Sequence, residues 1–199
     1  MFIRTILLAT LVLICSGAAM AQRPGPGPDF WSRVGCEPLE PRTKLEALED
    51  RHGTVIIKGF TLITTVEVRG INIFAMEMRD VGGAASRAKG IVVRLTEGGG
   101  ERPNENRAYI DYNEIDPLLN AIDTISRVDE TATKLIGFEA KYRTLGDFEI
   151  SVFRQTRSGT AVALRTGICE RTTGTLSLDD LAKVRAMIQE AKTRLDEIR

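Results

Sequence analysis

The chain contains a single histidine, His52, and this limits the catalytic chemistry that the sequence can support. A serine or cysteine nucleophile that relies on an imidazole base would have to use this residue. No G-x-S-x-G motif accompanies it, and it stands beside Gly53 where a short helix is predicted to end. A protonated imidazole suits the negative end of a helix dipole. We therefore interpret His52 as a surface residue rather than a catalytic base.

The patterns that could bind a metal are incomplete. Zinc needs several His or Cys ligands at short spacings, which one histidine and distant cysteines do not supply. Oxygen ligands that could bind calcium cluster within residues 111–116, but the order of an EF-hand loop and its glycine are absent. Helix capping accounts for the same residues, which are Asp111, Asn113, Glu114 and Asp116.

Phosphate binding and carboxylate chemistry have little support from sequence. Residues 83–89 approach a phosphate-binding loop, but Ala88 and Gly90 replace the required glycine and hydroxyl residue, and a strand follows instead of a helix. Two carboxylates that are distant in sequence can still meet in a fold. An enzyme with a carboxylate-based site therefore stays an alternative, although the sequence identifies no catalytic, cofactor-binding or metal-binding residue.

The first 21 residues have the features of a signal peptide. Arg4 precedes the apolar run Ile6–Ile14, and Ala19 and Ala21 are small residues at the positions that signal peptidase reads. The run is shorter than the roughly 20 residues that span a bilayer. We expect cleavage after Ala21, export to the periplasm or beyond the cell, and no membrane span in the mature protein.

The charge of the mature chain argues against nucleic acid or anionic membrane as a partner. The predicted signal peptide contains one basic and no acidic residue, so the mature chain has a net charge of −1. Such a balance gives little electrostatic attraction to polyanions. The expected partner is an unidentified protein or small molecule. The oligomeric state cannot be read from the sequence.

Residues 22–35 are predicted to be a flexible Pro/Gly-rich segment, followed by one α+β domain over residues 36–199. The adjacent aromatics Phe30 and Trp31 are expected to dock this segment onto the domain. Cys36 and Cys169 form an even pair in an oxidising compartment, which allows a disulfide between the segment and the last hairpin. The sequence cannot show that the two sulfur atoms meet.

Capping boxes and apolar periodicity predict the order of the elements. Thr43 with Glu46 starts a short helix, and Ser177 with Asp180 starts a long amphipathic one that closes the chain. A middle helix is expected to start between Asn113 and Pro117, with an apolar stripe from Ile115 to Val128. Four strands precede each long helix. In the first set residues 55–57 start a strand, and Phe60, Leu62, Val66 and Val68 then alternate with polar residues. Residues 71–78 form a central strand, and residues 91–95 and 108–112 form further strands, with loops at residues 80–89 and 97–106.

Two hairpins in the second set of strands permit a prediction of register. The apolar residues of paired strands must share a face, so the numbers of opposed residues must have an even sum. This favours a three-residue turn at residues 144–146, with Gly146 left-handed, Arg143 opposite Asp147 and Lys141 opposite Glu149. A second turn at residues 157–159 would end on Gly159. It would place Val152 opposite Leu164 and Phe148 opposite Ile168.

The resulting order, strands–helix–strands–helix, resembles the Whirly and PUR-repeat folds, in which two four-strand-plus-helix units pack together. It is also similar to small exported bacterial proteins of unknown function. An export signal and the lack of a lysine-rich stretch differ from the Whirly pattern, so single-stranded nucleic-acid binding is only an alternative. The expected function is a non-catalytic binding or structural role in the cell envelope.

Overall fold

The computed structural model describes residues 40–82, 86–98, 103–129, 131–155, 159–168 and 171–198. The predicted signal peptide, the Pro/Gly-rich segment and both Cys36 and Cys169 lie outside these residues, so the predictions about them stay predictions. The elements in chain order are α1 (Lys44–Glu49), β1 (Ile56–Leu62), β2 (Ile71–Asp80), β3 (Arg87–Glu97), β4 (Asn104–Asp111), α2 (Tyr112–Ile125), β5 (Glu139–Arg143), β6 (Glu149–Gln155), β7 (Gly159–Thr166), β8 (Thr172–Leu176) and α3 (Leu178–Asp196).

The strands form two antiparallel sheets, each followed by an amphipathic helix. The first sheet has the order β1-β2-β3-β4 and the second has β5-β6-β7-β8. The inner faces of both sheets share one hydrophobic core with α2 and α3, whose predicted apolar stripes are buried from Ile115 to Ile125 and from Leu181 to Leu195. The α+β class and the predicted element order are therefore confirmed.

The first sheet carries apolar residues on both faces, and α1 covers part of its outer face. Ile73 and Val93 point into the main core, whereas Val92 and Tyr109 belong to a second cluster on the other side of the sheet. Leu45 and Leu48 of α1 complete that cluster. The predicted central strand is confirmed in β2, which hydrogen-bonds to neighbours on both sides.

The predicted capping box forms at α1, whereas at α3 the N-cap forms but the Asp180 carboxylate accepts from the Ser177 hydroxyl instead of the Ser177 backbone amide. The start of α2 also differs from the prediction. Thr43 and Ser177 accept hydrogen bonds from the third residue of their helices. The N-cap of α2 is Asp111, whose side chain makes no bond to its own helix, and Pro117 lies inside that helix. The Asp111 carboxylate accepts instead from the backbone N–H groups of Lys44, at 2.8 Å, and Leu45, at 3.2 Å. A carboxylate at a helix N-terminus satisfies amides that lack a partner within the helix.

The predicted register of the first hairpin is wrong by two residues. The prediction that the numbers of opposed residues have an even sum is confirmed. Arg143 pairs with Glu149 rather than Asp147, and Lys141 faces Ser151 rather than Glu149. The turn is longer than expected because the Thr144 hydroxyl accepts from Phe148 N–H at 3.1 Å and Thr144 O accepts from Asp147 N–H at 3.2 Å. Side-chain and backbone bonds within the turn displace the first strand pair.

The predicted register of the second hairpin is also wrong by two residues, but in the opposite direction, because the partner of Val152 lies two positions earlier in the chain than predicted. Val152 pairs with Val162 rather than Leu164, and β7 ends at Thr166, so Phe148 has no strand partner at Ile168. Gly159 has a φ of 81°, as predicted for a left-handed residue.

Gly146 is required for a reason other than the predicted one. The left-handed residue of its turn is Asp147, with a φ of 60°. A Cβ atom on Gly146 would lie 1.9 Å from the carbonyl oxygen of Tyr109 in β4. The turn therefore packs backbone against backbone on the first sheet, and glycine allows this approach.

We expect Gly146→Ala to lower the free energy of unfolding by about 1–3 kcal/mol, because one methyl group forces the turn away from β4. Gly174→Ala is the matched control, since a Cβ atom there meets nothing within 4 Å. Urea denaturation of both variants and the parent provides the measurement. A stability of Gly146→Ala equal to that of Gly174→Ala would contradict the close contact.

Candidate protein-interaction surface

In the structure, the residues considered for catalysis or calcium binding each have contacts of their own. His52 is exposed, in agreement with its interpretation as a surface residue. Asp111 binds the amides of α1, Glu114 Oε1 accepts from Leu145 N–H at 2.9 Å, and Asp116 lies 3.5 Å from Lys192 Nζ. No group of three or more His, Cys, Asp or Glu side chains that could hold a metal ion occurs in the described part of the chain.

The predicted loop at residues 80–89 is shorter, because β3 already begins at Arg87. At its start, the buried Asp80 carboxylate accepts from Arg51 Nη1, the Thr54 hydroxyl and Gly82 N–H at 2.5, 2.5 and 2.9 Å. The hydrogen bonds from Thr54, Arg51 and Gly82 lower the pKa of Asp80 to about 2. This polar cluster ties the α1–β1 connection to the end of β2.

The predicted loop at residues 97–106 is shorter as well, since β4 begins at Asn104. Glu97 Oε2 accepts from the backbone N–H of Thr173 at 3.2 Å, which links the first sheet to β8 of the second. The described residues at the ends of both loops thus hold the fold together.

The outer face of the second sheet carries an ion-pair cluster around Glu149. Its buried carboxylate accepts from Arg143 Nη2 at 2.5 Å and from Arg165 Nη1 at 2.6 Å. Burial raises the pKa of this carboxyl, but hydrogen bonds and charge from the two guanidinium groups outweigh it, and the pKa lies below its usual range. The two arginines are therefore neutralised in part by an acid of their own sheet.

The described carboxyl groups with shifted pKa values all shift downwards. They are Glu77, Asp80, Asp123, Asp129, Glu149, Asp180 and Asp196. Hydrogen bonds and cationic neighbours stabilise their ionised forms. A carboxylic acid that donates a proton near neutral pH needs a raised pKa instead. These groups are arranged as ion-pair partners and caps.

Four basic residues of β3 and β4 lie on two faces of the first sheet, so they do not form one basic strip that could bind nucleic acid. Arg87 binds Glu77 and Lys89 Nζ donates to Leu195 O at 2.9 Å, on the side of α3. On the opposite face, Arg94 lies 3.4 Å from Glu105 and Arg107 lies 3.5 Å from Glu49. The sheet separates the two pairs, and acids accompany three of the four residues.

Among the described strands, the exposed large apolar side chains lie on β1, and the residue before it continues them. Val55, Ile57, Phe60 and Leu62 have exposed fractions of 62, 54, 66 and 41%. Because successive side chains alternate between faces, apolar groups are exposed on both sides of this strand. The alternation of Phe60 and Leu62 with polar residues marks a strand correctly, but these two side chains lie outside the core. The predicted continuation of the alternation to Val66 and Val68 is wrong, because β1 ends at Leu62.

Strand β1 is uncovered because the helices pack on the strands beside it. Helix α1 has six residues, about 9 Å of helix, and it contacts β2, β3 and β4. Its leucines rest on the outer cluster of β2, β3 and β4, whereas α3 packs on the inner side of β2 and β3. A groove of about 520 Å³ remains on the inner side, between Gly59, Thr61 and Ala75 and the residues Arg194 and Ile198 near the end of α3.

An aromatic pair continues the exposed surface onto β2. Phe60 and Phe74 meet edge to face with ring centroids 6.4 Å apart, and the Arg94 guanidinium lies 5.0 Å from the centre of the Phe74 ring. Of the described strands, β1 pairs with β2 alone, so its second edge has no partner among them. We define this edge and its exposed apolar residues, Val55, Ile57, Phe60 and Leu62, as the β1 surface.

Comparison with known protein families, curated proteins and solved structures finds no match to this chain. No helix in the described ranges is long and apolar enough to cross a membrane.

We expect Asp80→Asn to be less stable than the parent at pH 7, because the ionised carboxylate is bound in the folded state. The folded pKa of about 2 lies below the unfolded value of about 3.9, so this stabilisation is complete above about pH 5 and fades as the pH falls towards 2. Thermal denaturation of both proteins between pH 7 and pH 2 measures the difference. A constant difference across that range, or the same behaviour in the exposed control Asp179→Asn, would contradict the assignment.

Proposed function

We propose that this chain is an exported, non-catalytic binding or structural protein of the cell envelope, and that it contacts its partner through the β1 surface. The observation that carries the proposal is the exposure of apolar side chains on both faces of an edge strand. Such strands are templates for pairing with another chain, and recognition by strand addition uses their free backbone groups for affinity.

The other edge strands of the two sheets support this choice by contrast. Strand β5 alternates charged residues along its exposed face, and β8 consists mainly of threonine and glycine. The exposed first half of β4, Asn104–Arg107, is polar. Charged and polar residues discourage pairing between edges, whereas β1 carries a single charge, Lys58, whose ammonium group is bound by Glu49 at 2.5 Å. The contrast favours β1 as the contact edge.

A carboxylate-based enzyme has less support. The described acids with shifted pKa values are bound by arginines, lysines, hydroxyls and amides, and their pKa values are lowered. Neither lowered pKa values nor full ion pairing is typical of a general acid. The groove beside β1 is lined by Gly59, Thr61 and Ala75 together with charged residues at its rim, which suits an apolar side chain of a partner.

One observation favours nucleic-acid binding as the second candidate. Phe60, Phe74 and Tyr109 share the outer face of the first sheet, and the guanidinium groups of Arg94 and Arg107 lie over the rings of Phe74 and Tyr109 at 5.0 and 5.3 Å. Stacked bases would need those ring faces. Because each arginine already occupies a ring and has an acidic neighbour, we expect little counterion release, and no binding of single-stranded DNA or RNA at physiological salt.

We expect a photo-crosslinking residue at Phe60 to capture a protein partner in the native cell envelope, because this side chain is 66% exposed on the proposed contact strand. The same residue at Thr175, exposed on β8, is the matched control. The measurement is the yield and identity of adducts by gel and mass spectrometry. Equal adducts from both positions, or none from Phe60, would contradict the proposal.

Fluorescence anisotropy with labelled oligonucleotides separates the second candidate from the first. Binding tighter than about 10⁻⁶ M at physiological salt that weakens steeply with added salt would favour the nucleic-acid function instead.

A further inference from the structure

We infer that the partner of the β1 surface is a second copy of this chain, joined by antiparallel pairing of β1 with β1 into one continuous eight-stranded sheet. The inference rests on the proposed function of this surface and names its occupant. It follows from the backbone direction, register and shape of the strand.

The hydrogen bonds to β2 show which backbone groups of β1 are free to pair. Val55 O accepts from Val81 N–H at 3.0 Å, and Ile63 N–H donates to Ile73 O at 2.9 Å. Because the direction alternates along a strand, the odd-numbered residues between them also face β2. The N–H and C=O groups of four residues therefore point away from the sheet: Ile56, Lys58, Phe60 and Leu62.

Two-fold symmetry restricts the possible registers. An axis perpendicular to the sheet keeps α1 of both copies on the same side, so opposed residues must share a face. The register that overlaps the whole strand with itself places Ile56 opposite Leu62 of the second copy, with Gly59 on the axis. It sets Lys58 opposite Phe60 of the second copy. Sliding the strands to put Lys58 on the axis would oppose two like charges, which is unfavourable.

The inner side of the strand is complementary to itself in shape. In this register Ile57 of the second copy lies opposite Thr61 and diagonal to Gly59. A Cβ atom on Gly59 would meet nothing within 4 Å, and the groove beside it has a volume of about 520 Å³. Ile57 is 54% exposed, so each copy presents both the projecting side chain and the groove that receives it. A peptide of unrelated sequence would match both the projecting Ile57 side chain and the groove beside Gly59 only by coincidence.

Cysteine scanning at the axis tests the register directly. Gly59 and its copy would face each other as a pair without hydrogen bonds, with Cα atoms about 4.5 Å apart, a separation that a disulfide can bridge. The control is Gly174→Cys in β8, because this glycine also lies on an edge strand and has open space around its Cβ position. Both variants are made in the mature chain, and circular dichroism verifies that each one folds.

We expect mild oxidation to convert Gly59→Cys into a covalent dimer at least about ten times faster than Gly174→Cys. Mass spectrometry should find a disulfide-linked peptide that joins the introduced thiols of the two copies. Equal rates would overturn the inference. A disulfide from the introduced thiol to Cys36 or Cys169 of the same chain would overturn it too, and would show that the N-terminal segment or the last hairpin reaches the edge.

Sedimentation equilibrium of the parent and of Ile57→Lys supplies a second measurement without a covalent link. The lysine replaces the apolar side chain that projects towards the second copy with a charged one, and we expect it to weaken the dimer at least about tenfold, whereas Thr175→Lys leaves it unchanged. A parent that stays monomeric at high concentration overturns the second copy as partner. If Phe60 still captures another protein in cells, the proposed function stands without this inference. If it captures nothing, both fail.

Discussion

The junction between β4 and α2 is the contact on which the rest of the fold depends. There Asp111 ends the first sheet, yet its carboxylate binds the first amides of α1 and fixes that helix across the outer face of β2, β3 and β4. The hairpin of the second sheet meets the same junction, because Gly146 packs on the carbonyl of Tyr109 and Leu145 N–H donates to Glu114. An uncompensated carboxylate here would be costly, since Asp111 is buried.

The position of α1 determines which part of the first sheet is left for a partner. A helix of six residues that starts at the β4 end cannot also shield β1, and α3 packs on the inner side nearer the centre of the sheet. The connection before β1 is held by the Asp80 cluster, so the strand keeps its place without a covering element. An edge with apolar groups exposed on both faces is therefore a consequence of how the neighbouring elements are anchored.

Local chemistry made much of the fold predictable from sequence. The capping box at Thr43, the N-cap at Ser177 and the apolar stripes of α2 and α3 specify their elements, because the signal lies within a few residues. Which residues of the paired strands share a face was predictable for the same reason. The register was not, since it depends on hydrogen bonds that Thr144 makes within the turn. The candidate surface was missed because alternation marks β1 as a strand but does not show whether anything covers it.

Residue-resolved hydrogen exchange by NMR tests the central claim, that β1 is an edge free for a partner, most directly. In dilute protein the account predicts slow exchange at Ile57, Gly59 and Thr61, whose amides face β2, and fast exchange at the alternate residues Lys58, Phe60 and Leu62. In concentrated protein the alternate amides should become protected while exposed amides of β8 do not change. Strong protection of Lys58, Phe60 and Leu62 already in dilute monomer would contradict the account, because the edge would then be covered within the chain.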